Sequence, residues 1–438
     1  MSKQADQQHQ AGFWARRLTS AYSVGVAGLV GLGATWYRLR GPSASNGLRQ
    51  RFGDDLPPRP AAGPIWIHAS SMGEVRVAGL FAHELRQHGA ALIASAMTET
   101  GFNLIPQVFP EGTAPFRMPF DIPGPIQRTL AHFKPAALVL IETEWWPNLL
   151  LHSAEAGVPI FVVNGRLSER SFARYRLGRP YWRQVLRAVE LFYMRSEPDA
   201  LRVRRLGVDA GRTRVIGAIK AVDAGNNGNG HPIPPWVEKS GGPLWIAGCT
   251  RPGEEDLVLE AWAIARQSVP DLRLWIAPRH PDRFAPVARL LEQRGHVVYR
   301  WSEHEADAKP PTGGTVVLID RLGILASLYR YADVSFIGGS LQEYGGHSPL
   351  EPALAGAPVT FGPHMDEQRD AADLLLANGL AREVWGPASL AIALLEFLDS
   401  PSAVGERQHR IKRLLETLTR NRAEVARDLI ARIRSPRN

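Results

Sequence analysis

The chain has 438 residues, of which 45% are hydrophobic and 21% charged, a composition that excludes a mostly disordered protein. Its single cysteine, Cys249, excludes an intramolecular disulfide framework and a cysteine-cluster metal site, and the mean hydropathy of -0.16 excludes a polytopic membrane protein. The formal net charge of +8 favours a polyanionic partner, which by composition alone could be nucleic acid, an anionic membrane or a phosphorylated substrate.

Near the N-terminus lies a mostly apolar run of about 17 residues, from Ala21 to Tyr37. Its length is at the short limit for spanning a bilayer, and its four glycines lower helix propensity. Arg17 and Arg38 flank it, and Trp36 is typical of an interfacial anchor. No clear cleavage site follows, so a removed signal peptide is not favoured. We predict that residues 1–40 form a helix that associates with or spans a membrane; the alternative is a helix buried in a soluble protein.

In the first half of the chain, short apolar runs alternate with helical patterns, which predicts a parallel sheet covered on both faces. The predicted strands are Ile65–Ala69, Ala91–Ala96, Ala136–Ile141, Pro159–Val163 and Leu191–Met194, and the predicted helices are Glu74–His88, Tyr181–Val189 and Asp199–Leu206. Residues 221–235 are rich in Gly, Asn and Pro and are the predicted linker.

The same alternation restarts after the linker. Predicted strands are Leu244–Gly248, Leu272–Ala277, Val297–Tyr299, Val316–Ile319, Val334–Ile337 and Pro358–Phe361, and predicted helices are Glu254–Arg266, Asp282–Gln293, Gly323–Tyr331, Gln368–Asn378 and a long one from about Val404 to Ile433. We therefore predict an α/β protein with two Rossmann-like, doubly wound domains, residues 41–220 and 236–400, facing an interdomain cleft. Residues 401–438 form a C-terminal helix in this scheme.

The turn after the first predicted strand contains Ser70, Ser71 and Gly73, small residues that let a ligand approach the backbone at a helix start. Glu74 follows in the first helical turn. Such a carboxylate either complements the helix dipole or serves as a general base at the carboxyl end of a strand.

Polar residues also follow the next two predicted strands. The turn Met97–Gly101 supplies the hydroxyl groups of Thr98 and Thr100. Glu142 and Glu144 come directly after a buried strand, and we expect a polar contact to ligand from Glu144 and an orienting or structural role for Glu142.

In the second half, Arg279 and His280 end a predicted strand, where such a pair can bind phosphate or carboxylate. Further on, Gly345 and Gly346 precede His347, Ser348 and a predicted helix start. This turn either cradles a phosphate, with Glu351 placed for a ribose diol, or is glycine-rich for tight packing. Its spacing differs from that of the dinucleotide fingerprint.

The basic excess lies in one half of the chain. Residues 1–220 carry 27 basic and 16 acidic side chains, a net charge of +11, whereas residues 221–438 carry 24 and 27, a net charge of -3. The stretch Arg166–Arg214 alone holds 13 arginines against five acids. It is either a solvated helical face or a docking surface for an anionic acceptor or lipid headgroups.

From about Arg38 to Asn378 the chain resembles the Kdo transferases, which attach 3-deoxy-D-manno-octulosonic acid (Kdo) to lipid A precursors at the Gram-negative inner membrane. The matching segments, in order, are Gly73–Val75, Thr98–Gly101, Phe133–Asn148, Asn164–Arg176, Thr250–Glu255, Pro278–Phe284, Ala332–Leu341 and Gly345–Pro352. Ser348 departs from the pattern, since the family usually has Asn there.

The resemblance implies a GT-B fold, with the acceptor bound by the first domain and a CMP-Kdo donor by the second, inversion at the anomeric carbon, and no metal or other cofactor. It implies that Glu74 is the catalytic base. The implied acceptor-binding residues are Ser71, Gly73, Thr98, Thr100, Gly101, Glu144, Arg166 and Arg170. The implied donor-binding residues are Arg279, His280, Gly323, Gly345, Gly346, His347, Ser348 and Glu351.

The predicted partners are therefore CMP-Kdo, a phosphorylated lipid A precursor and the anionic cytoplasmic face of the inner membrane. Alternatives are a divergent GT-B enzyme that uses another CMP-ulosonic acid or acceptor, and a nucleotide-sugar epimerase. Another is a non-enzymatic protein that binds anionic lipid. A nucleic-acid partner is disfavoured because the basic stretch contains no groove-reading or base-stacking module.

Overall fold

The computed structural model describes residues 17–30, 42–61, 63–217, 219, 233–234, 236–237, 241–304, 314–399 and 403–435. The chain divides into two compact units. Unit 1 comprises Met1–Ala221 and Thr417–Asn438, and unit 2 comprises Val222–Glu416. Of the predicted linker, only residues 233–234 lie in the described part of the chain.

Unit 1 is built on a seven-stranded parallel sheet with the strand order β3-β2-β1-β4-β5-β6-β7. Its strands are β1 (Ile65–Ala69), β2 (Leu92–Ala96), β3 (Ala114–Arg117), β4 (Ala137–Ile141), β5 (Ile160–Gly165), β6 (Leu191–Met194) and β7 (Thr213–Val215). Its helices are residues 17–30, Pro42–Arg51, Met72–Gln87, Glu99–Val108, Pro123–Phe133, Pro147–Glu155, Glu169–Leu177, Arg179–Val185 and Glu197–Leu206.

Alternate residues of the strands of unit 1 supply two separate cores. Ile65 and Ile67 of β1 belong to one core, whereas Trp66 between them belongs to the other. Because side chains alternate across a strand and both faces are covered, the inner strands consist almost entirely of apolar residues. Their continuous runs are the signal from which the sequence predicts them.

Unit 2 repeats the architecture with the strand order β10-β11-β9-β8-β12-β13-β14, again all parallel. Its strands are β8 (Leu244–Thr250), β9 (Arg273–Pro278), β10 (Val298–Arg300), β11 (Val316–Leu318), β12 (Val334–Ile337), β13 (Val359–Phe361) and β14 (Ala381–Glu383). Its helices are Glu254–Ala265, Phe284–Gln293, Leu325–Leu328, Leu350–Leu354, Arg369–Ala377 and Pro387–Leu398.

The two parallel sheets flanked by helices confirm the predicted α/β class with two Rossmann-like domains. Sequence reasoning missed the strands β3, β7 and β14, and each of them lies at an edge of its sheet. Edge strands here are only three or four residues long and partly exposed, so they lack the apolar run that marks an inner strand.

The last helix, Ala403–Arg434, extends from unit 2 into unit 1. Val425, Ala426, Leu429 and Ile430 are buried in the same core of unit 1 as Ile67. The sequence predicts this helix. It does not predict that the second half of the helix packs into the core of the first domain.

The N-terminal helix, residues 17–30, packs on unit 1 through its polar side chains. The hydroxyl groups of Thr19 and Tyr181 are 3.0 Å apart, and that of Ser23 donates to Asn148 Oδ1 at 3.1 Å. Val24 and Leu29, by contrast, are each 73% exposed. Across the part of the chain that the structure describes, no helix is both long and apolar enough to cross a bilayer; residues 31–37 of the predicted membrane segment lie outside that part.

Candidate functional site

The carboxyl ends of four adjacent strands bring the predicted residues of unit 1 to one edge of its sheet. Glu74 follows β1, Thr98 follows β2, Glu144 follows β4 and Arg166 follows β5. The strand order reverses between β1 and β4, because β2 and β3 lie on one side of β1 and the later strands on the other. In open parallel sheets, ligands bind outside the carboxyl ends at such a point.

Glu74 folds back over the start of its own helix, Met72–Gln87. The backbone N–H of Ser70 donates to its Oε2 at 2.8 Å, and the hydroxyl of Ser71, the N-cap residue, donates to its Oε1 at 3.0 Å. Burial raises the pKa of Glu74 to about 7, with Glu144 and Glu142 adding to the rise and the two hydrogen bonds opposing it. A carboxyl group that ionises near neutral pH suits general-base chemistry.

The turn after β2 supports the turn after β1. Thr98 caps the next helix through Gly101 N–H and also donates its own hydroxyl to Ser70 O at 3.0 Å. A Cβ at Gly101 would lie 2.9 Å from Thr98 Oγ1, so this glycine is required by packing. The hydroxyl of Thr100 lies 3.5 Å from that of Thr98 and is exposed.

Gly73 has no comparable packing role. A Cβ there would meet only Ser71 Oγ, at 4.0 Å. A glycine in an exposed first helical turn costs helix stability relative to alanine. Packing therefore does not require a glycine at position 73.

Behind Glu144 lies a buried polar network that sequence reasoning did not identify. His68 of β1 is fully buried; its Nδ1 is 2.9 Å from Ser95 Oγ, and its Nε2 is 3.4 Å from Oε2 of Glu144, without hydrogen-bond alignment. The indole N–H of Trp146 donates to the same Oε2 at 2.8 Å. A histidine and a serine at facing positions of two otherwise apolar strands, β1 and β2, are the available sequence signal.

Glu142 and Asn164 both adopt left-handed backbone conformations, with φ of 60° and 57°. Asn164 Nδ2 donates to Oε1 of Glu142 at 3.4 Å, and Arg195 Nη1 lies 3.6 Å from the same oxygen. Non-glycine residues in this region are uncommon and concentrate at functional sites. Glu142 directly follows β4, and Asn164 is the next-to-last residue of the neighbouring strand β5.

Beside Glu144 an open groove of about 480 Å³ is lined mainly by aromatic side chains. Its walls include Tyr22 of the N-terminal helix, Trp146, Tyr175, Tyr181 and Trp182. Arg176, Arg179 and Arg183 each adjoin a groove-lining residue in sequence and are exposed.

The arginine stretch 166–214 divides into two groups. Several of its arginines form ion pairs or bind backbone oxygens, as Arg204 does with Glu197 at 2.7 Å. Others make no hydrogen bond or ion pair within the described residues, and these are Arg170, Arg176, Arg179, Arg183 and Arg205. The stretch is thus partly a surface of paired charges and partly a set of arginines whose side chains have no partner among the described residues, three of which adjoin groove-lining residues.

In unit 2 the strand order reverses between β8 and β12, and the predicted donor residues follow the adjacent strands. Arg279 and His280 come after β9, and residues 338–348 come after β12. Burial, together with Arg279, Arg251 and His280, lowers the pKa of His347 to about 4. Glu351, in the first turn of the short helix Leu350–Leu354, is an electrostatic neighbour of Cys249.

The glycine pair of this turn has a packing role. Gly345 and Gly346 have φ of 84° and 75°, and a Cβ on them would lie 2.8 Å from Glu367 and 2.4 Å from Met365. Ser348 follows them, partly buried. Gly323, with φ of 85°, lies in the turn after β11, at the same edge of the sheet.

Glu254 organises these turns and was missed from the sequence. Its fully buried carboxylate accepts backbone N–H groups from Arg251, Gly339, Ser340 and Leu341 at 2.7–2.9 Å. It therefore joins the turn after β8 to the turn after β12. No group of three or more His, Cys, Asp or Glu side chains in the described ranges could hold a metal ion.

Comparison with known proteins gives a consistent result. Residues 46–222 match the family model described as 3-deoxy-D-manno-octulosonic-acid transferase (kdotransferase). The chain is similar to the 3-deoxy-D-manno-octulosonic acid transferase of Bordetella pertussis, 32% identical over 74% of this chain and 77% of that protein. The enzyme of the same name from Haemophilus influenzae is 31% identical, over 68% of this chain and 70% of the relative.

Among solved structures, a glycosyltransferase from Rickettsia africae is similar with a TM-score of 0.57. It is 12% identical and the match covers 85% of this chain and 99% of that one. At this identity the likeness concerns the fold alone, and it agrees with the predicted GT-B class.

Proposed function

The chain belongs to the 3-deoxy-D-manno-octulosonic acid transferase family of glycosyltransferases, and from that premise we propose its donor, acceptor and catalytic residues. The donor is CMP-Kdo, the acceptor is a phosphorylated lipid A precursor, and transfer inverts the anomeric carbon. The observation that carries the proposal is the position of Glu74. Its carboxyl group ionises near pH 7 at the switch point of the first sheet, beside open space at Gly73.

The reaction is a single displacement. Glu74 takes the proton of an acceptor hydroxyl as the hydroxyl oxygen attacks the anomeric carbon of Kdo. The bond between that carbon and the phosphate oxygen breaks, and CMP leaves with the bonding electrons. Arg279 and His280 stabilise the negative charge that develops on the phosphate.

Ser70 and Ser71 hold Glu74 in place for this step. Their hydrogen bonds fix both carboxylate oxygens, so the base is oriented before the acceptor binds. Gly73, Thr98, Thr100 and Gly101 shape the turns through which the acceptor hydroxyl approaches, as the structural roles of Gly101 and Thr98 suggest.

Acceptor binding involves the aromatic groove and the arginines beside it. Aromatic faces pack against apolar chains and sugar rings, and Glu144 in the groove wall accepts hydrogen bonds from sugar hydroxyls. Arg170 has no partner among the described side chains, and with Arg166 it attracts the acceptor phosphates.

The enzyme acts at the anionic cytoplasmic face of the inner membrane. The N-terminal helix supports this, because its polar side chains face unit 1 while Val24 and Leu29 are exposed. An outward-facing apolar surface of this kind inserts into a bilayer interface. In vesicle flotation with phosphatidylglycerol, Val24→Asp and Leu29→Asp should weaken binding, whereas Val297→Asp, at a residue of unit 2 that is 67% exposed, should not.

The test of the function is incubation of the full chain with CMP-Kdo and a tetraacylated, bisphosphorylated lipid A precursor, with products identified by mass. Wild type should add Kdo to the lipid, and Glu74→Gln should be slower by about 10²- to 10⁴-fold, the usual contribution of a general base. Glu111→Gln, at an exposed acid in a turn of unit 1, is the matched control. Near-normal turnover by Glu74→Gln would show that Glu74 is not the base. If the wild type transfers a sugar from another CMP-sugar but not from CMP-Kdo, the proposed donor is wrong.

A further inference from the structure

Arg251 is the first residue after β8, the strand at the switch point of the second sheet. Its backbone is fixed, because its N–H donates to Oε2 of the buried Glu254 at 2.9 Å. The same carboxylate holds the N–H groups of Gly339 and Leu341 in the turn after β12. Arg251 therefore projects from a rigid corner of unit 2.

The guanidinium of Arg251 contacts an imidazole ring and a phenol ring. Its Nη1 lies 2.6 Å from Nε2 of His280, a contact in which the arginine donates and an unprotonated ring nitrogen accepts. Its Cζ lies 5.2 Å from the ring centroid of Tyr344. Its Nε is buried without a hydrogen-bond partner in the described structure.

The surroundings contain two guanidinium groups, those of Arg251 and Arg279. Both arginines lie within electrostatic range of His347, as does His280. Neither arginine forms an ion pair with any of the described residues, and the Glu254 carboxylate is already occupied by four backbone N–H groups. Guanidinium groups gathered without a carboxylate partner are typical of an oxyanion site that a ligand completes.

We propose that Arg251 binds an oxyanion of the donor, acting beside Arg279. This inference rests on the proposed function, in which the donor is a CMP-ulosonic acid. Such a donor carries two anionic groups, the phosphodiester and the sugar carboxylate, and the two arginines at the ends of the adjacent strands β8 and β9 match that number. A planar guanidinium can hold either group with two hydrogen bonds.

CMP distinguishes the two groups that Arg251 could bind, because it contains the phosphate of the donor but not the sugar carboxylate. CMP affinity is measured by calorimetry, and the KM for CMP-Kdo by the transfer assay, on full-length Arg251→Gln. The matched control is Arg289→Gln, at an exposed arginine of unit 2. Loss of a charge-assisted hydrogen bond should weaken CMP binding, or raise the KM for CMP-Kdo, by about tenfold or more.

Weaker CMP binding assigns Arg251 to the phosphate, and unchanged CMP binding with a raised KM for CMP-Kdo assigns it to the sugar carboxylate. If both constants stay within about twofold of the control, the inference is wrong. Arg251→Lys keeps the positive charge but loses the planar guanidinium, so its effect should be intermediate. This second variant keeps the inference testable if Arg251→Gln does not fold. Failure of the wild type to bind CMP would instead contradict the proposed donor.

Discussion

Nε2 of His68 lies 3.4 Å from Oε2 of Glu144, and His68 is completely buried. Burial alone would raise the pKa of Glu144, but His68 and the Trp146 indole N–H lower it overall. Glu144 is therefore ionised, and its charge contributes to the raised pKa of Glu74. A histidine inside the sheet thus acts, through Glu144, on the partly buried carboxyl group of the proposed base, Glu74.

The first prediction concerns the pH dependence of transfer. Because Glu74 must be ionised to accept a proton and its pKa is about 7, kcat/KM should fall tenfold per pH unit below about pH 7. The measurement is kcat/KM for the acceptor from pH 5.5 to 9, with a donor concentration that saturates throughout. A profile that is flat down to pH 5.5 would show that a group with an ordinary carboxyl pKa is the base.

The second prediction tests the influence of Glu144 on Glu74. Glu144→Gln removes a negative charge that disfavours ionisation of the base, so the acidic limb of the kcat/KM profile should move to lower pH. The rate will also fall if Glu144 contacts the acceptor, but the position of the limb is independent of that loss. Glu111→Gln should leave the limb where it is in the wild type.

The third prediction compares two glycines of the proposed acceptor site. Gly73→Ala should preserve or slightly raise the melting temperature, since the added methyl meets only Ser71 Oγ at 4.0 Å. It should nevertheless raise the acceptor KM, because the methyl fills the space in front of Glu74. Gly101→Ala should lower the melting temperature instead, since its methyl would lie 2.9 Å from Thr98 Oγ1 and 3.2 Å from Ser70 O. Unchanged kinetics in Gly73→Ala would mean that substrate does not enter there.

The fourth prediction concerns the C-terminal helix. Leu429→Ala should destabilise unit 1 by about 2–5 kcal/mol, because Leu429 is fully buried in the same core as Ile67. Ile392→Ala, at a residue of unit 2 that is 59% exposed, should change stability by less than about 0.5 kcal/mol. Hydrogen exchange is the decisive readout. Loss of protection confined to residues 241–399 would contradict the assignment of this helix to unit 1.

The same helix has a polar anchor that the sequence does not reveal. Oδ2 of Asp428 accepts from Tyr193 OH at 2.5 Å and from Arg214 Nη1 at 2.8 Å. Asp428 and Tyr193 are 235 residues apart in the chain. No local pattern could indicate this pairing, because it exists only once the helix has packed on the first sheet.

Local patterns were sufficient for the residues that follow the inner strands. Glu74 could be proposed because small residues and a helix start follow β1, and Arg279 and His280 because they follow an apolar strand; the structure confirms these positions in the fold. His68 and Arg251 were not identified, since the partner of His68 lies 27 residues away on the neighbouring strand and that of Arg251 lies 29 residues away, just after the neighbouring strand. A buried histidine in an apolar run has no distinguishing sequence signal of its own.

The sequence by itself determined the α/β class, the inner strands and the residues at their carboxyl ends, because burial on both faces of a parallel sheet requires continuous apolar runs that stop where the turns begin. Only the tertiary structure decided which strands are neighbours. The folded arrangement buries Glu74 near Glu144 and Glu142, and burial together with their charges raises its pKa. It also sets Arg251 against His280 and packs the last helix on the first sheet. Each of these depends on electrostatic or packing contacts between segments that are distant along the chain, and such contacts arise only from the folded arrangement of the sheets.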